Sequence, residues 1–317
     1  MSRLSVGARR CQRAVASLVA CLALAGPVLA DNLGVVRARA SAGDPRAVTQ
    51  LAIAYYFGRG VEADLPRARE LLDEAREGGD TLALALLGVD ALRRQEVPLA
   101  LELLRQAAAA GHALAQRQLG AMYLGGLGVA VDVSAGRAIL EAAVAQGDAP
   151  AMLALGLHLR ELGADEAPTD HARGLRLIRR AAALGEPLAR VHIAEHLLEE
   201  NTEGAHEDAA FFLRASGVMT NNTAWLLATS PEEDKRDGER AVRLMEALLE
   251  EPTPRRPEWV DTLAAAYAEA GRFEEAATTQ AEAIALLEEG SNAAMVDGMR
   301  ERLDTYQNDK PYREAPP

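Results

Sequence analysis

Leu119-Gly120-Ala121-Met122-Tyr123-Leu124-Gly125-Gly126-Leu127-Gly128-Val129 opens a stretch that runs through Asp132, Ala138 and Ala142-Ala143 to Gly147. Leu119 and Tyr123 stand four apart, so they share one face of a helix. Gly120, beside Leu119, lets a second helix come close. The glycines between 125 and 128 break the first helix. An alanine-rich second helix follows, and Gly147 ends it. The stretch therefore reads as helix, glycine turn, helix, glycine cap.

Outward from this stretch the same pattern recurs. An alanine-rich apolar run ends in glycine and then a polar residue at Gly43-Asp44, Gly79-Asp80, Gly111-His112, Gly147-Asp148 and Gly185-Glu186. The spacings are 36, 32, 36 and 38 residues, and a degenerate sixth copy is expected to end near Gly217. Eight residues after each glycine comes a large aliphatic followed by a tiny residue: Leu51-Ala52, Leu87-Gly88, Leu119-Gly120, Leu155-Gly156 and Ile193-Ala194. A period of this size marks an array of helix pairs. One pair cannot bury its own apolar stripe, so pairs stack into a continuous core.

These copies resemble Sel1-like repeats, a subclass of the tetratricopeptide superfamily. The matching features are Leu119 to Tyr123, Gly126 to Val129, Asp132, and Ala142 to Gly147; in the first copy they are Leu51, Tyr55, Gly58, Gly60-Val61, Asp64 and Ala68. Two copies depart. The second has Arg93-Arg94-Gln95-Glu96 in place of the glycine turn, and the fourth carries a longer acidic loop from Gly163 to Asp170. The resemblance covers residues 45–218. Residues 219–290 resemble tetratricopeptide repeats through Leu263, Tyr267, Gly271, Ala276 and Ala283. A polar helix over 291–308, with Arg300, Glu301, Arg302 and Asp304 on its outer surface, is expected as a C-terminal cap, with 31–44 capping the other end and 309–317 as a tail. The resemblance implies an all-α, right-handed α-solenoid of antiparallel helix pairs. It also implies a non-catalytic scaffold that takes a protein or peptide on its concave side. The first helix of each pair lines that side, which nominates Gln50, Tyr56, Gln118, Met122, His158, His192 and His196 as partner-binding residues.

Residues 1–30 read as a signal peptide. Arg3, Arg9, Arg10 and Arg13 precede an uncharged run from Ala14 to Ala25, and Val28-Leu29-Ala30 suits signal peptidase cleavage after Ala30. Arg9-Arg10 lacks the hydrophobic residues a twin-arginine signal needs next. The run is too short for a comfortable membrane span. A periplasmic or secreted protein is expected. Leu18-Val19-Ala20-Cys21 leaves open lipidation at Cys21 and an outer-membrane lipoprotein scaffold. Both cysteines, Cys11 and Cys21, lie in this leader, so the remaining chain has no thiol for a disulfide, a metal or nucleophilic catalysis. The net charge of −13 becomes −17 without the leader's four arginines. That charge repels nucleic acid phosphates and anionic membrane.

The sharpest enzymatic pattern is His192-Ile193-Ala194-Glu195-His196, the H-x-x-E-H of inverzincin proteases. Two imidazoles four apart on a helix can hold zinc beside a glutamate base. Against this, Ile193-Ala194 fill the repeat's Leu-Gly slot and His196 stands where Met122 and His158 stand in other copies. The alternative is a metal-dependent hydrolase or a metal-binding patch of His158, His192 and His196. Some exported Sel1-like proteins are associated with penicillin handling, but those relatives carry a disulfide in each repeat, which this chain lacks. The Gly125-Gly126-Leu127-Gly128 turn has no Lys-Ser/Thr and follows a helix, so it is no phosphate loop. No cofactor is expected.

Overall fold

A computed structural model describes residues 33–161, 167–200, 202–250, 252–287 and 293–314. The expected leader and residues 163–166 of the expected acidic loop lie outside the described residues, and the last three residues of that loop, Pro168 to Asp170, are instead helical. Among the described residues there are sixteen α-helices, one short 3₁₀ turn (Glu233–Lys235) and no strand. The helices are α1 Leu33–Ser41, α2 Pro45–Phe57, α3 Leu65–Glu77, α4 Thr81–Arg93, α5 Val97–Ala109, α6 Ala113–Gly125, α7 Val133–Ala145, α8 Ala149–Glu161, α9 Pro168–Ala183, α10 Pro187–Glu200, α11 Glu203–Ala215, α12 Gly217–Thr229, α13 Gly238–Leu249, α14 Pro257–Glu269, α15 Phe273–Ala285 and α16 Ala293–Gln307. The chain is all-α, and consecutive helices pack as pairs. It divides within α9 into two compact units, after Leu177.

The repeated glycine-then-polar landmark has a local cause. Gly43, Gly79, Gly111, Gly147 and Gly185 all have positive φ, between 82° and 93°. An L side chain there would strain against its own backbone. The polar residue that follows caps the next helix. Asp44 accepts from the Arg46 and Ala47 amides, Asp80 from Leu82, Asp148 from Ala151 and Glu186 from Ala189. Each cap satisfies an amide that the helix cannot satisfy itself. His112 caps α6 without a side-chain bond. In the second copy the missing glycine turn is replaced by Gln95, which adopts φ 61°. The expected sixth landmark differs: Gly217 opens α12 directly after Ser216, and a Cβ on it would meet the Trp259 ring at 2.7 Å.

In the first unit, the repeat aliphatics Leu87, Leu119 and Leu155 are buried and Leu51 is half-buried. Two apolar clusters run between the layers, one around Val48, Leu71, Leu72 and Leu87, the other around Leu92, Leu104 and Met122. The tiny residue beside each aliphatic permits close contact. A Cβ on Gly120 would lie 2.8 Å from Leu140 and 3.1 Å from the Gly136 carbonyl, so α6 and α7 cross glycine on glycine.

In the second unit, Ile193 and Ala194 are fully buried on α10, and α13 buries Ala241, Leu244, Met245, Leu248 and Leu249. The helix α16 departs from its expected polar outer face. Arg300 and Glu301 are exposed, but Arg302 turns inward and grips Asp261 with two bonds, at 2.8 and 2.9 Å. Asp261 is 6% exposed, and a buried carboxylate needs a cation or its burial becomes costly.

Candidate functional site

The nominated residues fall on first helices. Gln50 and Tyr56 lie on α2, Gln118 and Met122 on α6, His158 on α8, and His192 and His196 on α10. His158 belongs to the first unit, His192 and His196 to the second. Gln50 is exposed and Tyr56 half-buried. Gln118 and Met122 are 4% and 1% exposed, so they present nothing to a partner. Met122 instead packs among Ala85, Leu92, Leu104 and Ala107. A long apolar side chain at that slot gains more from this burial than from solvent.

Tyr56 lines a cleft between α2 and α4. Ala52, Ile53, Phe57, Leu72, Leu86 and Val89 form its apolar wall, and Asp90 its only carboxylate. Asp90 is 2% exposed. Its Oδ2 accepts Arg69 Nε at 2.7 Å and faces Arg94 Nε at 3.1 Å, while Oδ1 is buried with no hydrogen-bond partner. Arg93 stands over the Tyr56 ring at 5.3 Å, within cation–π range. Burial pushes the Tyr56 hydroxyl above its ordinary pKa, with the Arg93 charge opposing. The cleft thus joins apolar surface, an aromatic edge and, behind them, a buried carboxylate tied to two guanidinium groups.

Sequence reasoning missed Asp90. A signal was present: Asp90 stands three residues after Leu87, the slot that Met122, His158 and His196 fill after their own aliphatics. An acid in an otherwise apolar or histidine slot marks it out.

His158 is half-buried, and its Nε2 is buried without a partner. Burial lowers its pKa, so the ring is neutral at pH 7. On α10, His192 Nδ1 lies 3.2 Å from Glu195 Oε2, and Arg240 Nε donates to Glu195 Oε1 at 2.7 Å. Burial acts to raise the Glu195 carboxyl, but the bonds from His192 and Arg240 outweigh it and hold it at about 2. His196 instead faces Glu199 at 4.0 Å and Glu200 at 3.5 Å. The H-x-x-E-H pattern is therefore drawn into ion pairs: its glutamate is committed to a guanidinium, and its two imidazoles face different carboxylates. A carboxylate held at about 2 is a poor proton acceptor for a metal-bound water. Among the described residues no three His, Cys, Asp or Glu side chains converge to hold a metal ion. Among the same residues no helix is long and apolar enough to cross a membrane.

Comparison with known proteins bears on the array. Residues 45–80, 83–112, 113–148 and 149–186 each match the family model described as the Sel1 repeat. The pair α10–α11 lies beyond the last matched repeat. Among solved structures, the chain is similar to a Sel1 repeat protein from Oxalobacter formigenes, at 35% identity over 38% of this chain and 93% of that one, with a TM-score of 0.34. It is also similar to a protective antigen of uropathogenic Escherichia coli strains displaying an SLR fold, at 19% identity over 89% of this chain and 67% of that one, with a TM-score of 0.46. No curated protein matches.

Proposed function

The chain belongs to the Sel1 repeat family, and from that premise we propose that it is a non-catalytic scaffold whose first helices hold a protein or peptide partner. The cleft between α2 and α4 carries this reading. Tyr56, nominated from its place in the repeat, lines it half-buried among apolar residues, and the buried Asp90 behind it holds Arg69 and Arg94 in place. Partner-binding surfaces concentrate their energy at such desolvated anchors, with polar residues at the rim. Gln50 and the half-buried His158 lie on first helices of the same unit, and His192 and His196 on a first helix of the other. The Glu195 ion pairs speak against hydrolysis at His192 and His196.

The leader supports export to the bacterial cell envelope, with the working chain starting at Asp31. N-terminal sequencing of the exported protein tests this; a chain that begins at Cys21 and carries lipid would replace it with the lipoprotein reading. Binding is tested with a photo-crosslinking residue at Tyr56 and, as control, at exposed Glu74 on α3. In envelope extract, Tyr56 is expected to give one discrete adduct that Asp90→Ala abolishes. An adduct from Glu74 but none from Tyr56 would place the partner elsewhere and refute the reading.

A further inference from the structure

The last described residues pack against α12, α14 and α16 of the second unit. After α16 the chain reverses through Asp309, a non-glycine residue at φ 54°. Pro311, Tyr312, Arg313 and Glu314 follow without regular secondary structure. The Glu314 amide donates to the Thr229 carbonyl at 2.9 Å, one of the carbonyls α12 leaves unpaired at its end. Arg313 Nη2 meets Glu269 Oε2 at 2.6 Å. Tyr312 lies beside Trp225, ring centroids 6.1 Å apart. The Arg302 guanidinium stands 5.5 Å from the Trp225 ring and 5.4 Å from Tyr312.

The seat is more firmly built than its occupant. Arg302 is fixed from behind by the buried Asp261, and Glu269 is fixed by Arg236 Nε at 2.9 Å through its other oxygen. Glu269 and Arg302 are each 13% exposed, whereas the Arg313 side chain is 33% exposed. No residue from 310 to 314 is buried. The tail segment therefore lies on the surface of a site built by the rest of the unit: a guanidinium over the Trp225 face, a half-neutralised carboxylate, and a helix-end carbonyl. These are the elements that recognise an extended peptide, its aromatic ring, its arginine and its backbone amide.

We infer that this surface of α12, α14 and α16 is a recognition site for an extended partner segment carrying tyrosine followed by arginine, and that the chain's own Tyr312-Arg313 occupies it in cis as a built-in competitor. The site is distinct from the α2–α4 cleft, so either can fail without the other.

The full chain carrying Tyr312→Ala and Arg313→Ala is titrated with the peptide acetyl-Lys-Pro-Tyr-Arg-Glu-Ala-amide, followed by calorimetry. The tail variant is expected to bind about tenfold more tightly than the natural chain, and peptides with alanine at the tyrosine or the arginine to lose about tenfold. Glu269→Gln in the tail variant is expected to weaken the natural peptide but not the one lacking arginine. In the natural chain, excess peptide should speed hydrogen exchange at the Glu314 amide as the tail is displaced. Equal binding to both chains, equal binding of the alanine peptides, or no binding to the tail variant overturns the inference. So does a tail variant that no longer folds, because a segment the fold depends on is structural and not a competitor.

Discussion

Glu195 offers the clearest measurement of how a tertiary ion pair stabilises the second unit. The perturbation is Glu195→Gln, which keeps the shape and removes the charge. In the folded chain the carboxyl sits at about 2 against its ordinary 4.5, because the bonds from His192 and Arg240 exceed the cost of burial. At about 1.4 kcal/mol for each tenfold, that displacement is worth roughly 3 kcal/mol. The side chain is 16% exposed, so solvent screening removes only part of this. A depressed folded pKa contributes stability that is fully present above the unfolded value. It is lost as pH falls from about 4.5 toward about 2. The charged neighbours Asp237 and Glu199 act on Arg240, so the readout is a difference between two chains that share them. Urea unfolding followed by circular dichroism at pH 7, 4.5 and 3 should show the natural chain ahead of Glu195→Gln by about 2–3 kcal/mol at pH 7, narrowing toward zero below pH 3. A gap that stays constant across this range, or one below about 0.5 kcal/mol at pH 7, would refute the argument.

Other consequences are as direct. Gly120→Val drives a side chain into Leu140 and the Gly136 carbonyl and should cost about 1–3 kcal/mol in thermal unfolding, whereas Gly34→Ala on α1, with nothing within 4 Å, should be neutral or stabilising by up to about 1 kcal/mol. Arg302→Ala leaves the buried Asp261 without its cation and should lose about 3–5 kcal/mol by urea titration; a loss under about 1 kcal/mol would mean that Gln280, 2.7 Å from Asp261, suffices. Asp90→Ala should change stability by only about 1 kcal/mol, because Arg69 and Arg94 are 30% and 37% exposed and rehydrate, so loss of the Tyr56 adduct in that variant reports recognition and not unfolding.

Helices, turns and caps were legible in the chain because each is decided within a few residues. The spacing of Leu119 and Tyr123 names a helix face, Gly147 supplies a left-handed backbone, and Asp148 caps the next amide; none of this requires a distant partner. The sequence by itself therefore determined the helix pairs and their order. Tertiary structure decided which polar groups are alive to chemistry. Asp90 finds Arg69 across 21 positions, Glu195 finds Arg240 across 45, and Arg302 finds Asp261 across 41. Gln118 and Met122 sit in the same repeat register as residues expected to face a partner, yet both are buried, Met122 among neighbours from α4 and α5. The same dependence turned Arg302 inward on a helix whose pattern read as outward. Local geometry follows from backbone sterics that each residue carries with it. Burial and pairing of charge depend on what distant segments bring to the same few ångströms, and only the folded chain supplies that.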